Sequence, residues 1–177
     1  MTASLDRRLA EGISADVPDW SREAKGMSKW APSRALLGAI RRYQRGAARR
    51  GLAANVQRKL AVLCHRFWSV VTGADIPIST RIGGGLIMPH PNGIVIHPQA
   101  EIGPNCLIMQ QVTIGTSGRK KGSPRIGGHV DISVGASILG PVTIGDHALI
   151  GAHALVMTDV PAGAVVLAPL GQIRAEG

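Results

Sequence analysis

The stretch LIMPHPNGIVIHP, residues 86–98, places His90 between two prolines and inside a run of aliphatic side chains. An imidazole in that setting can act as a general base, bind a metal or shape a turn, and its immediate neighbours do not choose among the three. A second chemically loaded stretch is GTSGRKKGSPR, residues 115–125, where Arg119, Lys120, Lys121 and Arg125 are interspersed with glycine and serine. The two cysteines, Cys64 and Cys106, show neither metal-ligand nor disulfide spacing, which suits a reducing compartment. Residues 1–30 hold no signal-peptide apolar region, and no apolar run approaches membrane-spanning length, so the sequence reads as that of a cytoplasmic protein.

What must hold these residues in place is a repeat. Aliphatic side chains recur every six positions after Gly73: Ile76, Ile82, Met88 and Ile94, then, after an offset of two, Ile96, Ile102, Ile108 and Ile114. After the 115–125 break the series resumes with Ile126, Ile132, Ile138, Ile144, Ile150 and Val156. A glycine follows at Gly83, Gly103, Gly115, Gly127, Gly145 and Gly151, and a small or apolar residue stands two positions ahead at Ala100, Cys106, Val112, Ala136, Val142, Ala148 and Ala154. Six is neither the helical period nor simple strand alternation. It fits a chain that runs straight, turns and repeats, three faces making one triangular coil of about eighteen residues. Each coil pairs with its neighbours as parallel strands, so several are needed for stability. A narrow prism of this kind also accounts for a chain with 3% aromatic residues and 23 glycines. Residues 115–125 should leave the prism as a loop. His97, His129, His147 and His153 should sit at or near its corners, facing solvent, and His65 on a helix.

Ahead of the repeat the pattern is helical. RALLGAIRRYQRGAARR, residues 34–50, carries Leu36, Leu37, Ile40 and Tyr43 at spacings of three and four with arginines on the other face, and Gly51 is a plausible stop. A second helix is expected from about Asn55 to Thr72, docking a stripe of Leu60, Leu63, Phe67, Trp68 and Val71. Residues 1–32 show no clear period. The expected organisation is a helical segment over 1–72, the repeat over 73–167 with its loop at 115–125, and a tail over 168–177. The net charge of +9 is uneven: residues 1–70 hold fourteen Lys/Arg against five Asp/Glu, and residues 71–177 hold six of each. Arg41, Arg42, Arg45, Arg49 and Arg50 could therefore hold the protein at the inner face of an anionic membrane or against a phosphorylated acceptor, or simply form a solvated face. Nucleic acid is disfavoured as a partner, because the basic segment lacks interleaved aromatics and any known DNA-binding motif.

The repeat resembles that of the hexapeptide-repeat acyltransferases and, within them, the serine O-acetyltransferase branch. The resembling residues are DIPISTRIGGGLIMPHPNGIVIHPQAEIG, IMQQVTIG, PRIGGHVDISVGASILGPVTIG and IGAHALVMTDVP, within residues 73–167. The resemblance implies a mainly β fold, a left-handed parallel β-helix preceded by the α-helical segment. It implies an acetyl-CoA-dependent O-acetyltransferase that works as a homotrimer, with active sites between neighbouring prisms. His90, in an H-x-x-G motif completed by Gly93, would be the catalytic base, and Asp75 would orient its ring. An alcohol is a poor nucleophile at neutral pH, so a base that takes its proton suits attack on a thioester, and a carboxylate on the far ring nitrogen fixes the tautomer. The loop cations Arg119, Lys120, Lys121 and Arg125 would meet the phosphates of CoA. Gly115, Val134, Gly135 and Ala152 would let the pantetheine lie along the coils. No metal is expected, since His90, His97 and His129 lack the spacing of the zinc site in the carbonic anhydrases of this fold.

Two departures bear on the acceptor. The branch carries an aspartate before the H-x-x-G histidine, where this chain has Pro89; its loop ends in arginine and histidine before the proline, where this chain has Gly122 and Ser123. Those residues help hold the carboxylate and amine of serine in the branch. These departures, with the basic helical segment, favour a sugar hydroxyl, on a glycan or its precursor, as acceptor. The alternatives are serine O-acetylation for cysteine biosynthesis and a non-catalytic β-helix scaffold or binding module, against which the retained Asp75 and His90 argue.

Overall fold

The computed structural model describes residues 12–24, 30–118 and 120–173. Helices Pro32–Ala47 (α1) and Leu52–Thr72 (α2) form a hairpin that leads into a parallel β-helix with three flat faces. Numbering strands along the chain, the first face holds β1 (Arg81–Ile82), β3 (Glu101–Ile102), β6 (Arg125–Ile126) and β9 (Thr143–Ile144). The second holds β2 (Val95–Ile96), β5 (Thr113–Gly115), β8 (Ser137–Leu139) and β11 (Leu155–Val156). The third holds β4 (Leu107–Ile108), β7 (Asp131–Ile132), β10 (Leu149–Ile150) and β12 (Val165–Val166).

Register explains the period of six. Ile82, Ile102, Ile126 and Ile144 stack in one ladder, Ile96, Ile114, Ile138 and Val156 in a second, and Ile108, Ile132, Ile150 and Val166 in a third. Nearly all are fully buried, each contributing about 1.5–3 kcal/mol of apolar burial. Ile94 is not a ladder residue. Asp75 pairs with Val95, which makes Ile96 the partner of Ile76. Ile94 instead fills the interior corner position two residues ahead, as Ala100 and Val112 do on later coils. The two-residue offset is thus extra length in the corner that carries His90.

Corners dictate two further features. At Gly83, Gly103, Gly127 and Gly145 a Cβ would come within 2.4–2.6 Å of the coil above, so no side chain fits between stacked turns. Other corner positions adopt left-handed backbone, at Asn105, Gln111, His129, His147 and His153 with φ between 51° and 61°; asparagine and histidine are types that tolerate it. Three of the histidines therefore serve the turn. His129 departs from its expected exposure: it is buried, and its Nδ1 lies 2.9 Å from His147 Nδ1 on the next coil, because the corner column sets the two rings edge to face.

α1 buries Leu36, Leu37 and Ile40 in the β-helix core as its periodicity predicts, but Arg41 departs from the expected outer arginine face, being buried and paired with Glu23, and the helix ends at Ala47, leaving Gly51 as the N-cap of α2. α2 does not. It begins at Leu52 rather than near Asn55, and its buried residues are Ala54, Ala61 and Thr72. Leu60, Leu63, Phe67 and Val71 are exposed and only Trp68 packs partly on the core. Small side chains let the two helices approach closely, so the large apolar ones point away.

Residues 12–24, unplaced by sequence, form a strap across the corner between the first and third faces. Asn105 Nδ2 donates to Ser14 O and Val17 O at 2.7 and 2.8 Å, and Asn105 Oδ1 accepts from Asp19 N–H at 2.8 Å. Asp19 caps a 3₁₀ turn, Trp20–Glu23, and its hydrogen bonds from Ser21 hold its carboxyl below the usual range.

Cys106 lies at the same corner, fully buried, and burial pushes its thiol up to about 12. In the native protein only Cys64, on the outer surface of α2, should react with a thiol reagent at pH 8, with Cys106 reacting after unfolding. The raised value also means that stability is lost as pH climbs above 9.0, where the unfolded chain releases this proton and the folded chain does not.

Candidate active site

Both lengthened turns flank the second face, the corner carrying His90 at its entry and the 116–124 loop at its exit. Pro89 and Pro91 restrict the backbone on either side of His90. Gly93, with φ of 70°, turns the chain back and its N–H donates to Gly73 O at 2.9 Å. Gly73 is itself the left-handed C-cap of α2, so the end of the helix and the His90 corner are tied together. Two residues on, Asp75 N–H donates to Ile94 O at 2.8 Å and Asp75 O accepts from Ile96 N–H at 2.9 Å.

Asp75 therefore enters the second face on the first coil, and His90 lies in the corner that leads into that face on the next. Both side chains are exposed, and neither has a side-chain hydrogen-bond partner among the described residues. The carboxylate–imidazole bond implied by the resemblance is not formed here. A solvated pair gains little from closing, and such bonds tighten when a substrate excludes water. His90 opens into a cleft of about 630 Å³ between the β-helix and the hairpin, whose walls include Arg22, Trp30, Arg34, Pro89 and Asn92. Neither Trp30 nor Arg34 carries a sequence signal of its own: residues 1–32 have no period, and Arg34 is one of several arginines in the helical stretch.

The remaining expected residues divide between the two ends of the face. Val134, Gly135 and Ala152 stack on later coils at the entry corner, where Val134 O accepts from His153 N–H at 2.8 Å and Gly135 has φ of 68°. Gly115 closes β5 at the exit, and Lys120 and Lys121 are exposed on the loop beyond it. Arg119 lies outside the described residues. Arg125 opens β6 with its Nε 3.7 Å from Glu101 Oε2, so its charge is shared with a carboxylate. His97 is half-buried rather than solvent-facing: its Nδ1 lies 2.9 Å from Ser123 Oγ, tying the end of the loop to the coil below. Among the described residues no three His, Cys, Asp or Glu side chains converge as metal ligands.

No protein-family model matches the chain. A serine acetyltransferase of Mycobacterium tuberculosis is 38% identical over 133 residues, which are 74% of this chain and 54% of that protein. The solved serine acetyltransferase of Neisseria gonorrhoeae in complex with serine superposes with a TM-score of 0.65 at 34% identity, covering 79% of this chain and 56% of that one. That of Brucella abortus in complex with coenzyme A gives a TM-score of 0.61 at 28% identity, covering 80% and 54%. The chain spans about half the length of the relatives it matches. Stacked aliphatic ladders, three parallel faces and these superpositions together define a hexapeptide-repeat acyltransferase fold, a left-handed parallel β-helix. Within that class the chain is serine acetyltransferase-like.

Proposed function

We propose that the protein is an acetyl-CoA-dependent O-acetyltransferase whose acceptor is the hydroxyl of serine. The observation that carries this reading is His90, exposed in an open cleft with Asp75 on the adjoining coil, in a chain 38% identical to a serine acetyltransferase. His90 takes the acceptor's hydroxyl proton as its oxygen attacks the thioester carbonyl carbon. The tetrahedral intermediate collapses, the C–S bond breaks, and the CoA thiolate leaves with the proton returned by the imidazolium. Asp75 orients the ring as it becomes charged. Arg119, Lys120 and Lys121 attract the CoA phosphates, with Arg125 a weaker contributor beside Glu101. Gly115, Val134, Gly135 and Ala152 leave room for the pantetheine along the second face. The working unit is a homotrimer in the cytoplasm, where acetyl-CoA is available.

A sugar hydroxyl is the second reading. It is supported by Pro89, Gly122 and Ser123 at the positions where the branch holds serine, and by Trp30 at the rim of the cleft, since an aromatic face suits a sugar ring. Incubation with acetyl-CoA and either serine or a panel of sugars and sugar nucleotides, followed by mass spectrometry of the products, separates the two. O-acetylserine is the expected product. An acetylated sugar with no O-acetylserine would replace the serine reading with the second one.

A further inference from the structure

The large apolar side chains of α2 face solvent in one continuous stripe. Leu52, Val56, Leu60, Leu63, Phe67 and Val70 are between 48% and 84% exposed, at spacings of four, four, three, four and three, so they share one side of the helix. The stripe runs roughly 27 Å, longer than the scattered apolar residues normal on a soluble surface. Shallow grooves follow it on both sides. One is edged by Arg42, and the other by Tyr43, Arg58 and Lys59. At the helix's carboxyl end the stripe meets an aromatic group, Phe67 against Trp68 at 5.0 Å and Trp68 against the exposed Trp30 at 5.6 Å.

Charge selects what covers it. Between Glu23 and Asp75 the chain has eleven Lys/Arg and no Asp or Glu. Arg41 is paired with Glu23, while Arg42, Arg45, Arg49, Arg50, Lys59 and Arg66 are exposed. A second copy laid symmetrically on this face would set cations against cations with no carboxylate to answer them. The β-helix of a second copy brings no net negative charge to answer them, with six cations balanced by six acids over residues 71–177. An anionic phospholipid surface answers both features at once: acyl chains receive the stripe, head groups meet the flanking arginines and lysines, and tryptophan suits the interface between them. No described helix is long and apolar enough to cross a membrane, so the geometry points to a helix lying in the plane of the surface. We propose that α2 docks the protein on anionic membrane by this stripe. Val71 and Thr72 at the end of α2 also line the His90 cleft, so docking brings that cleft to the head-group layer.

The test is co-sedimentation of the full chain with vesicles of phosphatidylcholine alone or mixed with phosphatidylglycerol, alongside light scattering for oligomeric mass. Binding to the mixed vesicles, weak binding to phosphatidylcholine and suppression by salt are expected. Leu60→Asp and Phe67→Asp, both at exposed positions, should each weaken binding by about tenfold or more. Arg42→Glu with Lys59→Glu should do the same while circular dichroism and mass stay unchanged. Equal binding to both vesicle types, no binding to either, or a fall in oligomeric mass on Leu60→Asp would each overturn the proposal, the last by assigning the face to a second copy. Acetyl transfer is not the readout, so this outcome is independent of the proposed activity.

Discussion

Replacing His90 with alanine is expected to slow acetyl transfer by about 10²–10⁴-fold, with the fold intact. The size follows from chemistry: without a base, the acceptor hydroxyl must attack while still holding its proton. The intact fold follows from position. His90 is exposed, has no side-chain partner among the described residues, and sits in a corner fixed by the prolines on either side and by the Gly93 to Gly73 hydrogen bond. Acceptor-dependent release of CoA thiol, measured beside the circular dichroism spectrum, checks both halves. An unchanged rate in the variant would remove His90 from the mechanism, and Asp75 with it.

Arg41→Ala is expected to destabilise the protein by about 3–5 kcal/mol, the largest single effect on the fold. Its guanidinium is almost wholly buried at the junction of three elements. Nη2 donates to Glu23 Oε1 at 2.7 Å and to Gly83 O at 2.6 Å, Nε donates to Glu23 Oε2 at 3.1 Å, and Nη1 donates to Ile82 O. Glu23 in turn accepts from the Gly85 and Leu86 amides at 2.8 and 3.2 Å. One buried ion pair thus joins the strap, α1 and the first coil, and truncation leaves Glu23 buried without its counter-charge. Arg41→Lys should recover only part of the loss, because an ammonium cannot reproduce the planar fork. Trp20, whose ring lies 5.3 Å from the Arg41 guanidinium, gives a fluorescence signal for urea denaturation. A loss below about 1 kcal/mol would place the pair with weak surface bridges instead.

The β-helix was legible in the sequence because its period is imposed by geometry. A flat face ends at a corner after six residues, and the residue facing the axis must be aliphatic on every coil. Ile102, Ile114, Ile132 and Ile144 all obey. Ile94 falls outside the ladder although it keeps the period, because an aliphatic residue also suits the interior corner position, and the pairing of Asp75 with Val95 shows where the extra two residues lie. α2 departs from its periodicity for a related reason. Periodicity reveals an apolar stripe but not whether it is covered, and here Ala54 and Ala61 make the close contact. The strap left no pattern at all, since it is held by Asn105, Arg22 and Glu23 through backbone hydrogen bonds rather than by periodic burial. At the site, His90 and Asp75 stood out by motif. Trp30 and the His97–Ser123 contact did not, because they join residues 26 or more positions apart.

Transfer of an acetyl group from CoA to a hydroxyl by this β-helix can be read as CoA thiol release from acetyl-CoA on addition of serine. Release should require both serine and His90, with one O-acetylserine formed for each thiol freed. A protein that neither binds CoA nor releases thiol with serine or any sugar in the panel would contradict it and return the fold to the role of a scaffold.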